Sequence, residues 1–585
     1  MDEREVPKNG LRKAHLGVVL ICMILTSLVT LPFFFIGEVQ GGGCCGGAMP
    51  VTHDGPMHFN QMQSFWRGLS SGRIYPRWDD LTHFGYGAPN TSFYPPAVYY
   101  LTSAVYFVFR DWEVVLVVSQ WLLMAASGAA IYWYARKSMS RGAGILAMAV
   151  YLTAPYHLIN QYQRGAIAEQ LGFIWMPLIL LFGERLWCAG NSITSSRKLI
   201  IPFAGLAACY GALIWSHPPT AYQFTLVFGF STAIRFLFSR ARSFRALAGI
   251  PAALIFGSML AAAYIFPAIA EAHLINSEDL ERRWPYHASY VFDTTQTIYD
   301  HSGNNFIPRI DRIWMFNTAA LLLIVILLLI FRKEGTVRGS RSRYWFWATA
   351  GVFASFLMTR ISYPVGILIP KIETGAFSWR MLSITSLIIS LLTGACWQMA
   401  QDAGKDRGSR RSSLSRAVAI SIPVGAIVMS TLYVVMPMYR VQSFSPRPEH
   451  FNYGTLPKGT PLDLAPMEPA QTVSGMGQIT IIKWQPEYRE LLIELDRPDR
   501  LQFRTSNYPG WTASAGNRRV EIENGPNGNI VIELPAGKHI VTLEYNRTPV
   551  RLAGDWITIS SFVLLIAAVI TARRSKVDGQ LGEAL

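Results

Sequence analysis

Thirteen apolar runs thread the chain, near 15–36, 94–109, 113–135, 143–158, 166–184, 199–215, 220–234, 246–266, 313–331, 344–358, 381–399, 417–437 and 555–572. Segments of this length and composition satisfy their backbone in hydrocarbon as helices, so the chain reads as a polytopic α-helical membrane protein. Composition agrees: 15% of the 585 residues are charged and 51% hydrophobic, whereas about a quarter of an average soluble chain is charged. The net charge of +15 would suit a nucleic-acid binder, but the cationic residues punctuate the apolar runs. The expected partner is therefore the lipid bilayer, with no nucleic acid.

Sidedness follows from charge. The run 94–109 opens with Pro95-Pro96, and its sixteen residues rise only about 24 Å against a hydrocarbon core of about 30 Å. Read as a helix lying at the interface, it leaves twelve spans. The connections on one face, both tails included, then hold 27 of the 52 Lys and Arg residues, as the positive-inside rule requires of a cytoplasmic face. The first run is longer than the apolar part of a signal peptide, about 7–15 residues, and is read as a retained helix. The expectation is tails at 1–14 and 573–585 in the cytoplasm and a helical membrane domain over 15–437. Loops 37–112 and 267–312 then face outward, as does a segment at 438–554 before the last helix at 555–572.

The segment 438–554 differs in kind. Leu491 to Leu495, Arg519 to Glu523, Asn529 to Leu534 and His539 to Tyr545 alternate apolar and polar residues between turn signals, which predicts an extracytoplasmic β-sandwich-like domain. Trp511 there reads as a buried tryptophan ahead of a sugar-stacking one. Cys22, Cys209 and Cys396 fall inside apolar runs as small hydrophobes; Cys44 and Cys45 have no ligand partners at metal-site spacing. The mixed-charge stretch Glu278 to Trp284 reads as a solvated face rather than a cover over a site.

Chemistry concentrates in the first outward loop. His53-Asp54-Gly55-Pro56-Met57-His58 opens a predicted helix that sets Asp54 and His58 on one face, a pair able to move a proton or hold a metal. The competing reading of Asp54 is a helix N-cap. Asp79 and Asp80 follow in GRIYPRWDD; neighbours on an extended segment point to opposite faces, so one at most serves a given centre. Further along, Arg164 and Glu169 stand at a helix mouth in QRGAIAEQ, His217 in a short turn in WSHPP, and Arg380 at another mouth in FSWRM.

These motifs carry a resemblance. HDGPMHF, GRIYPRW, GYGAPNTSFYPP, QRGAIAEQ and AFSWRM look like the bacterial membrane proteins called 6-pyruvoyl-tetrahydropterin synthase-related, a label that the absence of clustered zinc-binding histidines does not support. The overall pattern of a first helix, a long outward loop with an early acid, a descending YPP segment and a distal β domain resembles the C-type (GT-C-like), multi-spanning glycosyltransferases. That resemblance implies a sugar donor on a polyprenyl phosphate or diphosphate, a glycan, lipid or protein acceptor, and placement in the bacterial cytoplasmic membrane with the active site on the outer face.

It further implies roles. Asp54 matches the acid acting near the acceptor, either as a base or as a ligand of a divalent cation such as Mg or Mn; His58 would assist. Arg164 and Arg380 would grip the phosphate, the alternative being interfacial anchors. Glu169, His217, Asp79 and Asp80 would line the substrate cavity, with His217 equally readable as a histidine satisfied within its turn. A transporter or flippase of lipid-linked glycans and a non-catalytic envelope-assembly scaffold are the competing functions. Against the first, no internal repeat is visible and the spans are poor in charge.

Overall fold

The computed structural model describes the chain except residues 1–7, 35–48, 51, 192–196, 240–242, 277–285, 294–305, 331–334, 371, 373–376, 404–409, 436–442, 445–454, 462–463, 465 and 583–585. The Cys44-Cys45 pair and the charged stretch Glu278 to Trp284 lie outside the described residues. Among those described, nine helices are long and apolar enough to cross a membrane. A tenth span is the pair Phe244–Leu260 and Ala262–Ala270 if its 81° bend lies within one crossing. The other two of the twelve expected positions hold the 23-residue helices Lys8–Thr30 and Gly335–Leu357. The run after the double proline forms Ala97–Phe109, 13 residues, too short at about 20 Å to cross about 30 Å of hydrocarbon.

Burial orders the bundle. In the span Ser378–Asp402, 89% of the apolar window is buried, against 11% for Pro549–Arg573, so the first is the central post and the second lies at the periphery. Helices Arg197–Ser216 and Phe244–Leu260 approach closely at two glycines: a Cβ on Gly257 would stand 2.6 Å from the Ala207 carbonyl, and one on Gly211 2.7 Å from that of Gly257. Small residues permit this contact of backbones, which packing in lipid rewards. At the bend after Leu260, Ala263 donates its N–H to Thr558 Oγ1 (2.8 Å), and its carbonyl accepts from Arg77 Nη2 (2.9 Å). Side chains thus satisfy backbone groups freed by the break.

The β domain is a sandwich. One antiparallel sheet runs in the order Ala470–Thr472, Asp499–Ser506, Asn529–Leu534, Glu523–Asn524, and the other Gln478–Gln485, Tyr488–Leu495, Gly537–Tyr545, Trp511–Ala515, Arg518–Val520. Leu491, Ile493, Phe503, Ile532, Val541 and Leu543 fill the space between them, the inward half of each alternating strand. Trp511 is buried in that core, as expected. Trp78 from the loop after the helix Gly55–Ser70 enters the same core, with its ring 5.2 Å from Trp511 and 5.1 Å from Tyr545. Ser506 N–H bonds the Tyr86 carbonyl (2.9 Å), so this loop and the sandwich pack together.

Candidate active site

The site begins where two loops meet. His53 N–H donates to the Gln163 carbonyl (3.1 Å) and Asp54 N–H to that of Arg164 (2.7 Å). This contact depends on Gly165, which adopts φ +65°; a Cβ there would fall 2.3 Å from Thr52 Oγ1. Glycine occupies such a backbone without steric cost. Just before it, Asn160–Arg164 forms a wide π-type turn, a distortion that often re-aims side chains at functional sites. Beyond it, Glu169 lies in the first turn of Ile167–Asn191.

Four charged groups are chained here. Asp54 occupies the N-cap position of Gly55–Ser70, yet its side chain makes no capping bond. Its Oδ2 instead faces Arg164 Nη2 at 3.7 Å. Arg164 bonds Glu169 Oε2 and Asn160 Oδ1 through Nη1, and its guanidinium lies 4.7 Å from the centre of the Trp379 ring. Glu169 Oε1 accepts from Tyr156 Oη (2.8 Å) and Asn160 Nδ2 (3.4 Å), while Oε2 also faces Arg380 Nε at 3.7 Å. Arg380 rests against Phe377, 5.0 Å from its ring centre.

Exposure separates their roles. The side chains of Glu169 and Arg164 are 0% and 1% exposed, Arg380 12% and Asp54 31%. Glu169 has both oxygens engaged, Oε1 by Tyr156 and Asn160 and Oε2 facing the two arginines. Asp54 and Arg380 are the members a bound molecule can reach.

The histidines are neutral participants. His58 is buried with Nδ1 3.0 Å from Tyr99 Oη and Nε2 3.4 Å from Tyr94 Oη, a geometry one neutral tautomer satisfies with one donor and one acceptor nitrogen. Burial pushes its pKa down to about 4. His53, packed against Phe306, is likewise pushed down to about 4, by burial first. His217 caps Pro218–Phe238, its Nδ1 accepting from Thr220 N–H. Burial and then Arg380 hold it well below the usual histidine value, so His217 lies within the field of the cluster while its turn satisfies Nδ1.

Asp79 and Asp80 take up different partners. Asp79 accepts from Asn90 Nδ2 (2.7 Å) and Leu81 N–H (3.1 Å); burial and then Asp80 push its pKa up to about 6. Asp80 accepts from Ser64 Oγ (2.9 Å) and pairs with Arg67 (3.0 Å). Both are buried, and both tie the loop to its surroundings. Tyr156, Asn160, Gly165 and Trp379 were not singled out from the sequence. The signals were present as polar residues inside an apolar run and as the neighbours of Arg164 and Arg380.

Among the described residues, no group of three or more His, Cys, Asp or Glu gathers as metal ligands do. Asp54 faces a guanidinium rather than a second acid, so this donor set does not fit a resident Mg or Mn ion, which takes several oxygen ligands.

No family model matches the chain, and no curated protein matches it. Solved structures with similarity include the archaeal oligosaccharyltransferase AglB from Archaeoglobus fulgidus in complex with an inhibitory peptide and a dolichol-phosphate. That pair has a TM-score of 0.42 and 12% identity, covering 74% of this chain and 56% of that one. ArnT from Cupriavidus metallidurans bound to undecaprenyl phosphate gives 0.39 and 12%, covering 71% and 76%. The arabinofuranosyltransferase AftD from Mycobacteria gives 0.41 and 12%, covering 71% and 27%. The chain thus spans little more than half the length of the first of these.

Proposed function

We propose that this chain is a membrane glycosyltransferase that moves a sugar from a polyprenyl-phosphate or polyprenyl-diphosphate donor to a hydroxyl of a glycan, lipid or protein acceptor. In this reading it lies in the bacterial cytoplasmic membrane with both termini in the cytoplasm. The site and the β domain face outward, and Ala97–Phe109 rests on the bilayer surface. The observation that carries the reading is the chain Asp54–Arg164–Glu169–Arg380, in which an accessible carboxylate and an accessible guanidinium are joined through a buried ion pair.

Each member has a task. The Asp54 carboxylate accepts the acceptor hydroxyl's proton as that oxygen attacks the anomeric carbon. Arg380 donates to the oxygens of the departing phosphate, as guanidinium groups do well. Glu169 is a positioning residue that holds Arg164 and Arg380 in place. His58, neutral above pH about 4, fixes Tyr94 and Tyr99 beside the acceptor side. In purified protein supplied with polyprenyl-phosphate sugars, Asp54→Asn is expected to lower turnover by about 10²–10⁴. Turnover equal to wild type overturns the role of Asp54.

A further inference from the structure

A second charged pocket lies at the far end of the helical bundle. Tyr134 and Arg235 stand in the last turns of Trp112–Ala135 and Pro218–Phe238, Glu184 and Trp187 late in Ile167–Asn191, and Arg343 and Phe346 one turn apart in Gly335–Leu357; all six line one cavity. Glu184 follows Glu169 by 15 residues in the same helix, which puts the pocket about 22 Å from the site along the bundle. With the site facing outward, as proposed above, the pocket belongs to the cytoplasmic leaflet; this placement alone rests on that reading.

We propose that this pocket binds the phosphate of an anionic phospholipid. Its polar groups are donors in want of an acceptor. Glu184, the only carboxylate among the lining residues, is taken by Arg343 Nε at 2.6 Å. Among the described residues Arg235 forms no ion pair. Its Nε donates to Ser342 Oγ (3.0 Å), its terminal nitrogens make no hydrogen bond, and its guanidinium lies 4.8 Å from the Trp187 ring centre and 5.8 Å from that of Phe346. Rings so placed hold a guanidinium by its face and leave its edge for phosphate oxygens. Tyr134 Oη accepts from Trp347 Nε1 (3.0 Å), so its own proton is left to donate. The enclosed space is close to that of one water molecule; one phosphate oxygen enters it and the ester groups stay outside. Around Arg235 the surface is apolar: Leu237 is 55% exposed, Phe238 83% and Phe244 73%. That surface suits acyl chains, which selects a lipid over a soluble phosphate, and basic pockets between helices in this leaflet take anionic headgroups.

Native mass spectrometry of the full-length protein, given equal phosphatidylglycerol and phosphatidylcholine with the same acyl chains, tests this. Wild type is expected to retain phosphatidylglycerol about fivefold over phosphatidylcholine, the worth of one arginine near the membrane surface. Arg235→Gln is expected to bring the two lipids about level, and Arg235→Lys, which keeps the charge, to hold most of the preference. Arg245→Gln removes an exposed charge near the same end of the bundle and is expected to leave the preference in place. Equal retention of both lipids by wild type, or an equal loss in Arg235→Gln and Arg245→Gln, overturns the pocket. Displacement of phosphatidylglycerol by inorganic phosphate assigns the pocket to a soluble anion and overturns the lipid as its occupant. No glycosyl transfer enters the readout, so this proposal and the transferase reading fail separately.

Discussion

At the scale of single residues, Glu169 decides whether the site exists at all. It is fully enclosed and accepts hydrogen bonds on both oxygens, and Arg164, almost equally enclosed, pairs with it more closely than with Asp54 at 3.7 Å. A buried ion pair is costly to form, and breaking it from one side is worse, because the surviving charge remains in a low-dielectric interior. Glu169→Gln keeps the volume and removes the charge, so it is expected to destabilise the protein by about 3–5 kcal/mol. Replacing both members, Glu169→Gln with Arg164→Met, should recover much of that loss. Thermal unfolding of the purified variants reads the comparison; a single variant that melts with wild type contradicts the arrangement. Arg164 and Arg380 were readable in sequence as arginines at helix mouths. Their common acid was harder to weigh, because a glutamate in QRGAIAEQ reads equally as a second site acid. Only the fold shows its oxygens divided between a tyrosine, an asparagine and two arginines.

At the scale of elements, the wide turn Asn160–Arg164 and its closing glycine bring the segment around Asp54 against the mouth of the helix that carries Glu169. Gly165→Ala meets two penalties, a left-handed backbone costing about 1–2 kcal/mol for a residue with a Cβ and a Cβ 2.3 Å from Thr52 Oγ1. The cheapest relief is for residues 52–55 to retreat, which moves Asp54 away from Arg164. The expected result is turnover reduced about tenfold or more, with polyprenyl-phosphate binding at Arg380 close to wild type and partial rescue by adding Thr52→Ala. Equal activity of Gly165→Ala and wild type would show that the closeness of the two loops is not required. The apolar runs foretold most helices because length and composition suffice for that. They did not foretell the 81° bend after Leu260: the run 246–266 is continuous in hydropathy, and the cause of stability is distant, in Arg77 and Thr558. The strand Gln478–Gln485 escaped for a related reason. It is an edge strand, largely exposed, so it lacks the alternation by which the strands around 491, 530 and 541 were visible.

At the scale of the molecule, the β domain is attached through charge as well as through the core that Trp78 enters. Arg551, fully buried at the start of the last helix, donates through Nε and Nη2 to Glu271 Oε2 (3.1 and 2.9 Å), and Thr548 and Tyr508 hydroxyls complete the carboxylate. Glu487 accepts from the backbone N–H groups of Arg77 and Trp78, and Arg73 pairs with Glu487 and Glu544. The sandwich, the loop behind the site and the peripheral helix are therefore one mechanical unit, although the loop stands about 400 positions before the other two in sequence. Glu271→Gln leaves Arg551 buried beside a neutral group, at a cost of about 3–5 kcal/mol. If that pair couples the parts, amide exchange in Gly537–Tyr545 and in the loop around Trp78 should accelerate together, while the central span Ser378–Asp402 stays protected. Acceleration confined to the last helix would mean that Trp78 and Glu487 hold the domain without the Glu271–Arg551 pair, and transfer activity in that variant should then equal wild type. Concerted loosening should instead lower activity, because the same loop leads directly from Trp78 to Tyr94 beside His58.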